Sequence, residues 1–324
     1  MKKEVRVEDA IGMRLAHDLT RIVPGEFKGR AFRKGHVIRE EDIPALLNIG
    51  KEHIYILELS AGELHEDEAA MRMGRALCSD QMRFEEPHEG KVVLQAERPG
   101  LLKVDEERLF AINMIDEIAV VSRKTDTPLQ AGDKIAGLRA IPLTIAEAKV
   151  AEVERIASEG DLFAIKPFRR LQVGVVTTGS EVLTGRIEDK FGPRVREKLE
   201  RFGSQVIGQQ IVGDRVEDIE NAIISFQESG ADMVLCTGGM SVDPDDRTPG
   251  AIRRAATEVV SYGMPVLPGS MMMLAYRGEM PIFGLPGCVI FDEFTSFDIL
   301  LPRVLAGERV TRSEVARLGH GGLL

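Results

Sequence analysis

The stretch LQVGVVTTGSE, from Leu171 to Glu181, decides the reading of the fold. Leu171 to Thr177 is a continuous apolar run, suited to a parallel strand buried on both faces. The turn TTGSE follows it directly. Beyond the turn, Val195, Leu199 and Phe202 fall at i, i+4 and i+7, one face of a helix, and Gly203 stands at its end. Gln205 to Val212 reads as a second strand. Asp214 and Glu217 have the spacing of a capping box, and Val216, Ile219, Ile223 and Phe226 form the apolar stripe of the next helix. Ala231 to Cys236 is a third apolar strand, running into TGGMSVDPDDRTPG.

There Thr248 is placed as an N-cap and Pro249 at the first helical position. Short strands are expected around Met272 to Tyr276 and Pro281 to Gly284, and LPG opens a last helix to about Leu305. The methionine run Met271 to Met273 falls on a strand and reads as packing. Strand and helix alternate at the spacing of a three-layer, doubly wound, mostly parallel sheet over residues 170–305. Ligands on such sheets sit beyond the C-terminal ends of the strands. Three loops are therefore expected to meet: Thr177 to Glu181, Thr237 to Thr248, and Leu285 to Cys288.

Residues 1–165 read as a mixed α+β region, and residues 306–324 as a tail. Lys51 to Leu59, Lys91 to Glu97 and Ile118 to Ser122 are strand-like. Ile43, Leu46 and Leu47 mark a helix ended by Gly50, and His65 to Leu77 marks another. Asp105 is placed to cap a third. Gly25, Gly29 and Gly35 suggest hairpin connections around Ala31 and Phe32. Ile145 to Ile156 is a helix leading into a boundary within Ser158 to Arg170.

The net charge of −10 disfavours a general nucleic-acid binder. Three cysteines, Cys78, Cys236 and Cys288, are too few and too scattered for a disulfide framework or a zinc site. The six histidines show no metal spacing. No apolar run is long enough to span a membrane, and MKKEVRVEDA lacks the apolar stretch of a signal peptide, so a cytoplasmic protein is expected. Neither a P-loop nor a G-x-S-x-G motif is present.

The loops carry chemistry suited to an anion. Gly179, Gly238, Gly239 and Gly287 let backbone N–H groups approach a ligand. Thr178, Ser180, Thr237, Ser241 and Thr248 add hydroxyls. Asp243, Asp245 and Asp246 crowd the same loop and would repel a bare phosphate. Three roles are open to them: bridging Mg²⁺ to phosphate, accepting from the N–H edge of a heterocycle, or favouring the following helix N-terminus. Glu181 is a weaker carboxylate candidate, and Asp214 reads as a cap.

The segments TTGSEVLTG, GDRVEDI, TGGMSVDPDDRTPGA and GLPGCV, in this order, resemble the molybdopterin-binding domain over about 135 residues. Within that superfamily the chain is most similar to molybdopterin molybdenumtransferase. VEDAIGMRLAHDL and LQAGDKIAGLRAIPL resemble its front half more loosely. The resemblance implies a homodimer that binds adenylylated molybdopterin, Mg²⁺ and molybdate, and that acts with other cofactor-pathway proteins or molybdoenzymes. It places Thr178, Gly179, Ser180 and Glu181 in the first ligand loop, and Thr237, Gly238, Gly239, Ser241, Asp246 and Thr248 in the second. Pro268, Gly269, Pro286 and Gly287 line the remaining wall. Asp246 and Glu181 are the catalytic candidates, with Asp246 also a cation ligand.

The chain departs from that pattern at four places. Ser180 stands where the family usually has Asp. LPGSM, Leu267 to Met271, lacks a lysine. Cys288 and Val289 replace Asn-Pro, and Phe191 to Pro193 replaces an Asp-x-Asn segment. These departures motivate a second reading, a non-catalytic carrier or sensor of the cofactor. A third is a nucleotide pyrophosphatase of the damage-inducible competence family, whose domain the DDRT segment resembles. The adenylyltransferase branch, usually a single domain, ranks lower.

Overall fold

A computed structural model describes residues 2–23, 27–57 and 59–324. The chain divides into two compact units, the first ending with Ile165 and the second beginning with Lys166.

In the first unit, strands Lys2–Arg6 and His53–Leu57 pair antiparallel. Leu19–Val23 pairs with Phe27–Phe32. The expected hairpin turn at Gly25 lies outside the described residues, and Ala31 and Phe32 belong to the second strand. Glu58, at the end of an expected strand, also lies outside them. The helix Ile43–Asn48 ends before Gly50, whose φ of 75° suits a residue without a Cβ. These elements enclose a small core of Val7, Leu15, Leu19, Ile38, Leu46 and Ile54.

A larger core lies between an antiparallel sheet and two helices. The sheet joins Met82–Arg83, Lys91–Ala96, Lys134–Ala140 and Ile118–Ser122 in that order. Helices Glu66–Leu77 and Glu147–Ala157 bury Met73, Leu77, Val150 and Val153 against it. Asp105 caps the helix Glu106–Asn113 by accepting from the N–H of Arg108, as its position implied.

The second unit is built on a six-stranded sheet. Its order is Gln205–Val212, Gln172–Thr178, Met233–Thr237, Met280–Leu285, Met273–Arg277, Glu258–Tyr262. The first four strands run parallel. The last two pairings are antiparallel. Successive residues of the 172–178 strand point to opposite faces. Val173 and Val175 join a core with Val195, Leu199, Phe297 and Leu300. Val176 joins one with Ile219, Ile223, Phe226 and Ile252. Helices therefore cover both faces, and the region is the three-layer, mostly parallel α/β fold that the sequence implies.

Several local details differ from the sequence expectation. The edge strand Glu258–Tyr262 is not among the expected elements. It is half-exposed and alternates weakly, so its pairing with Met273–Arg277 has no local signal. The last helix is broken. A short helix, Cys288–Phe291, gives way at Asp292, and Ser296–Leu305 starts afresh. Thr295 causes the restart: its N–H donates to Asp298 Oδ2 at 2.8 Å, completing a capping box. Buried Lys198 fixes the break by donating to Glu293 O at 2.8 Å and to Asp298 Oδ1 at 2.6 Å. The expected tail, residues 306–324, carries the helix Arg312–Arg317, and Val310 and Val315 are buried in the unit's core.

Candidate functional site

The topology puts the site where the chain changes direction across the sheet. From the central 172–178 strand the connection runs to one side, to 205–212. It then returns to the other side, to 233–237. The loops that follow Thr178 and Thr237 therefore diverge and leave a crevice at their C-terminal ends.

At their base those two loops touch. Gly238 has φ 88°, and a Cβ there would lie 2.3 Å from the Thr178 carbonyl oxygen. A side chain would drive the loops apart, so glycine is required by both conformation and space. Hydroxyls staple the contact. Thr248 Oγ1 donates to Gly238 O at 2.8 Å and so accepts from Thr178 Oγ1 at 3.1 Å. Thr237 Oγ1 donates to Thr177 Oγ1 at 3.2 Å, and Gln209 donates to the same oxygen at 2.9 Å. Thr237 and Thr248 are fully buried. Their hydroxyls thus join the loops behind the crevice and face neither cavity described below. Thr248 is the first residue of its helix, not the cap; Arg247 holds that position.

Asp214 also departs from its expected role. The helix Val216–Glu228 has Arg215 at its N-cap and no side-chain cap bond. The Asp214 carboxylate instead accepts from Ser180, from N–H at 3.0 Å and from Oγ at 2.6 Å. An ionised acceptor makes strong bonds to such donors. Ser180 thus binds a carboxylate supplied by the next strand's loop.

Two cavities open at this edge. One, of about 840 Å³, is lined by Thr178, Gly179, Ser180, Glu181, Asp214 to Glu217, Gly239, Asp245 to Arg247, and Arg254. The second, of about 530 Å³, is lined by Phe191, Gly238 to Ser241, Asp246, Leu267 to Met271, and Leu285 to Cys288. Both fall within the ordinary range for ligand clefts, about 300–1,000 Å³. Gly239 and Asp246 line both. The three loops expected from the sequence therefore share one edge. All the proposed site residues except Thr237 and Thr248 line one cavity or the other.

The first cavity is the polar one, and three arginines on its wall are not among the expected site residues. Arg254 pairs with Glu217 at 3.0 Å and with Glu220 at 2.8 Å. Arg247 Nε donates to Pro244 O at 2.8 Å. Arg215 lies 3.9 Å from Asp218. Each stands at or near a helix end, and no motif links the three along the chain. Guanidinium groups, with five donors each, offset the acidic loop and suit phosphate oxygens. No group of three metal-ligating side chains is assembled among the described residues.

The second cavity is mainly apolar. Its Pro268–Gly269 wall is held by the last long helix. Ser296 N–H donates to Pro268 O at 3.1 Å, and Ser296 Oγ donates to Gly269 O at 2.8 Å. The neighbouring Leu267 N–H donates to Gly322 O at 2.7 Å, and Leu324 N–H donates back to Leu267 O at 2.8 Å. The expected tail therefore braces this wall. Tyr262, on the unforeseen edge strand, sets its hydroxyl 3.3 Å from Met240 O and braces the opposite loop. Met271 lines the cavity while Met272 and Met273 are buried. Burial, followed by the charge of Asp292, pushes the Cys288 thiol pKa upward.

Fold and site together define an α/β domain with two adjoining cavities at the C-terminal ends of parallel strands. Residues 174–306 match the family model described as "Probable molybdopterin binding domain". That match lies within the second unit. Residues 4–58 match a "Domain of unknown function (DUF8806)". A CinA-like protein of Mycobacterium tuberculosis (strain H37Ra) is 37% identical over 83 residues, 26% of this chain and 19% of that protein. One from Mycobacterium sp. (strain MCS) is 36% identical over 83 residues, 26% of this chain and 20% of that protein. The matched segment spans about a fifth of these relatives' length. Among solved structures, the molybdopterin biosynthesis enzyme MoaB from Thermus thermophilus is similar at 24% identity and TM-score 0.37. That alignment covers 43% of this chain and 98% of MoaB. CinA from Thermoplasma acidophilum is similar at 19% identity and TM-score 0.32, covering 36% of this chain and 89% of that one. No helix among the described residues is long and apolar enough to cross a membrane.

Proposed function

We propose that the second unit binds molybdopterin and acts in molybdenum-cofactor biosynthesis, inserting molybdate into adenylylated molybdopterin with Mg²⁺. The observation that carries this reading is the pairing of two unlike cavities through Gly239 and Asp246. A phosphate fits the arginine-lined cavity, where the backbone N–H of Gly239 adds a donor; the Gly179 N–H is spent on Val212 O at 3.2 Å. A planar ring system fits the proline- and methionine-lined cavity, with Asp246 accepting from its N–H edge. Asp246 and Glu181 are the proposed catalytic carboxylates.

The residues present fit Mg²⁺ in one way. Mg²⁺ takes one or two carboxylates together with substrate phosphate oxygens. Asp245 and Asp246 line the phosphate cavity and would supply them. When bound, Mg²⁺ would neutralise charge on the phosphates. The chain's own groups would orient the ligand and hold its nucleotide end against Arg215, Arg247 and Arg254. Molybdate is a substrate in this reading, and the active species is a homodimer.

Mixing the purified protein with adenylylated molybdopterin, Mg²⁺ and molybdate tests the reading. AMP release dependent on all three is expected. Tight binding without AMP release would leave the carrier or sensor reading. One further alternative is a nucleotide pyrophosphatase of the damage-inducible competence family, whose domain the DDRT segment resembles. Hydrolysis of ADP-ribose or nucleoside diphosphate sugars by the same preparation would select it.

A further inference from the structure

The first unit contains a separate polar cavity of about 360 Å³, lined by His17, Asp18, Tyr55, Glu66, Glu89, Arg139, Ile141 and Leu143. The matched domain of unknown function ends at residue 58 and contributes three of these residues. Nothing in the proposed cofactor chemistry uses them.

Glu66 is the residue that marks the cavity as a built site. It begins the helix Glu66–Leu77 and is only 8% exposed. Its nearest ion-pair partner is Arg139, at 3.7 Å, which is too long for a hydrogen bond. No hydrogen bond to its carboxylate occurs among the described residues. With Arg139 as its ion-pair partner among the described residues and no shorter bond, the carboxylate is weakly paired for its depth of burial, which is costly. Burial, and then the charge of Asp67, push its pKa above the usual value. The backbone is shaped around it. Gly90 has φ 68°, and a Cβ there would lie 2.3 Å from Glu66 Oε2.

The neighbouring groups define what would satisfy it. Asp18 is already engaged, with Arg30 Nε at 3.0 Å and the Lys34 N–H at 2.8 Å. Glu89 accepts from Thr20 Oγ1 at 2.7 Å. Among the described residues, Asp18, Glu66 and Glu89 line the cavity together with the guanidinium of Arg139. The Tyr55 ring adds a face that attracts cations.

We propose that this cavity binds the primary ammonium group of a small metabolite, with Glu66 as its principal acceptor. An ammonium supplies three N–H donors and a full charge, matching an ionised carboxylate. Ile141 and Leu143 give an apolar wall for the ligand's carbon chain. Arg139 stands where a carboxylate on the same ligand would be received.

The test is titration calorimetry on the full chain, in an amine-free buffer at neutral pH, with putrescine and with alanine as probes. Saturable binding of either probe supports the proposal; preference for alanine assigns Arg139 to its carboxylate. Glu66→Gln should weaken binding by about tenfold or more, through loss of a charge-assisted bond. Glu107→Gln, on an exposed helix position, should leave it unchanged. If Glu66→Gln does not fold, Glu89→Gln reads the same cavity and should weaken binding several-fold. Neither probe binding, unchanged affinity in both variants, or competitive displacement by Mg²⁺ would overturn the proposal. None of these results depends on the cofactor chemistry of the second unit.

Discussion

The two cavities that meet at Gly239 and Asp246 are opposite in chemistry. One is walled by Arg215, Arg247 and Arg254 with carboxylates between them. The other is walled by Leu267, Pro268, Met271, Leu285 and Pro286. They are also braced differently. The polar cavity depends on threonine hydroxyls and on Asp214 reaching Ser180. The apolar one depends on Ser296 and on backbone pairing of Leu267 with the last residues of the chain. A ligand with a phosphate at one end and a flat heterocycle at the other can use both. Changes on one side should therefore affect one end of the ligand, and changes at the shared residues should affect both.

The largest effect is expected where the loops touch. Gly238→Ala places a methyl against Thr178 O at an unfavourable φ. It should cost ~2–3 kcal/mol of stability and abolish binding at both ends. Thermal unfolding and calorimetry with molybdopterin check this, and near-parental binding would break the comparison at its centre. Asp246→Asn keeps the shape but removes the charge shared by the cavities. In the same calorimetric titration it should lower affinity by about tenfold and abolish any Mg²⁺ dependence.

A one-sided effect should follow from Arg254→Gln. Loss of one guanidinium should weaken phosphate binding by about three- to tenfold, more at low salt than at high salt. Because the Arg254 pairs are half-exposed, stability should change by less than ~1 kcal/mol. A ligand lacking phosphate should bind this variant as it binds the parent. The smallest effect concerns Cys288. Its raised pKa lowers the thiolate fraction at a given pH, so alkylation by iodoacetamide should be a few-fold slower than for a free cysteine. The rate should rise with pH above the usual thiol range, and molybdopterin should slow it further. Alkylation rates followed by mass spectrometry, with and without ligand, decide the point.

Much of the candidate site was legible because its signals are local. Gly179 and Gly238, each one threonine beyond an apolar run, mark strand ends, and strand ends in a wound sheet share an edge. The arginine wall was not legible. Arg215 precedes one helix, and Arg254 lies in the last turn of another. Only the packing of those helices on the same face brings both to the cavity beside Arg247. Asp214 illustrates the limit of a motif. Its spacing to Glu217 fits a capping box, yet its carboxylate is drawn instead to the N–H and hydroxyl of Ser180, 34 residues away. Thr248 is similar: a good cap by type, it becomes a buried link between two loops.

By itself the sequence determined the alternation of strands and helices, the faces they bury and the loops that carry glycine. Those properties follow from periodicity and backbone freedom, which act over a few residues. Tertiary structure alone decided which hydroxyls are spent inside the protein and which carboxylates acquire partners. It also decided that Glu66 is buried with Arg139 as its ion-pair partner. Hydrogen bonding and desolvation depend on neighbours distant in the chain, and only folding chooses those neighbours.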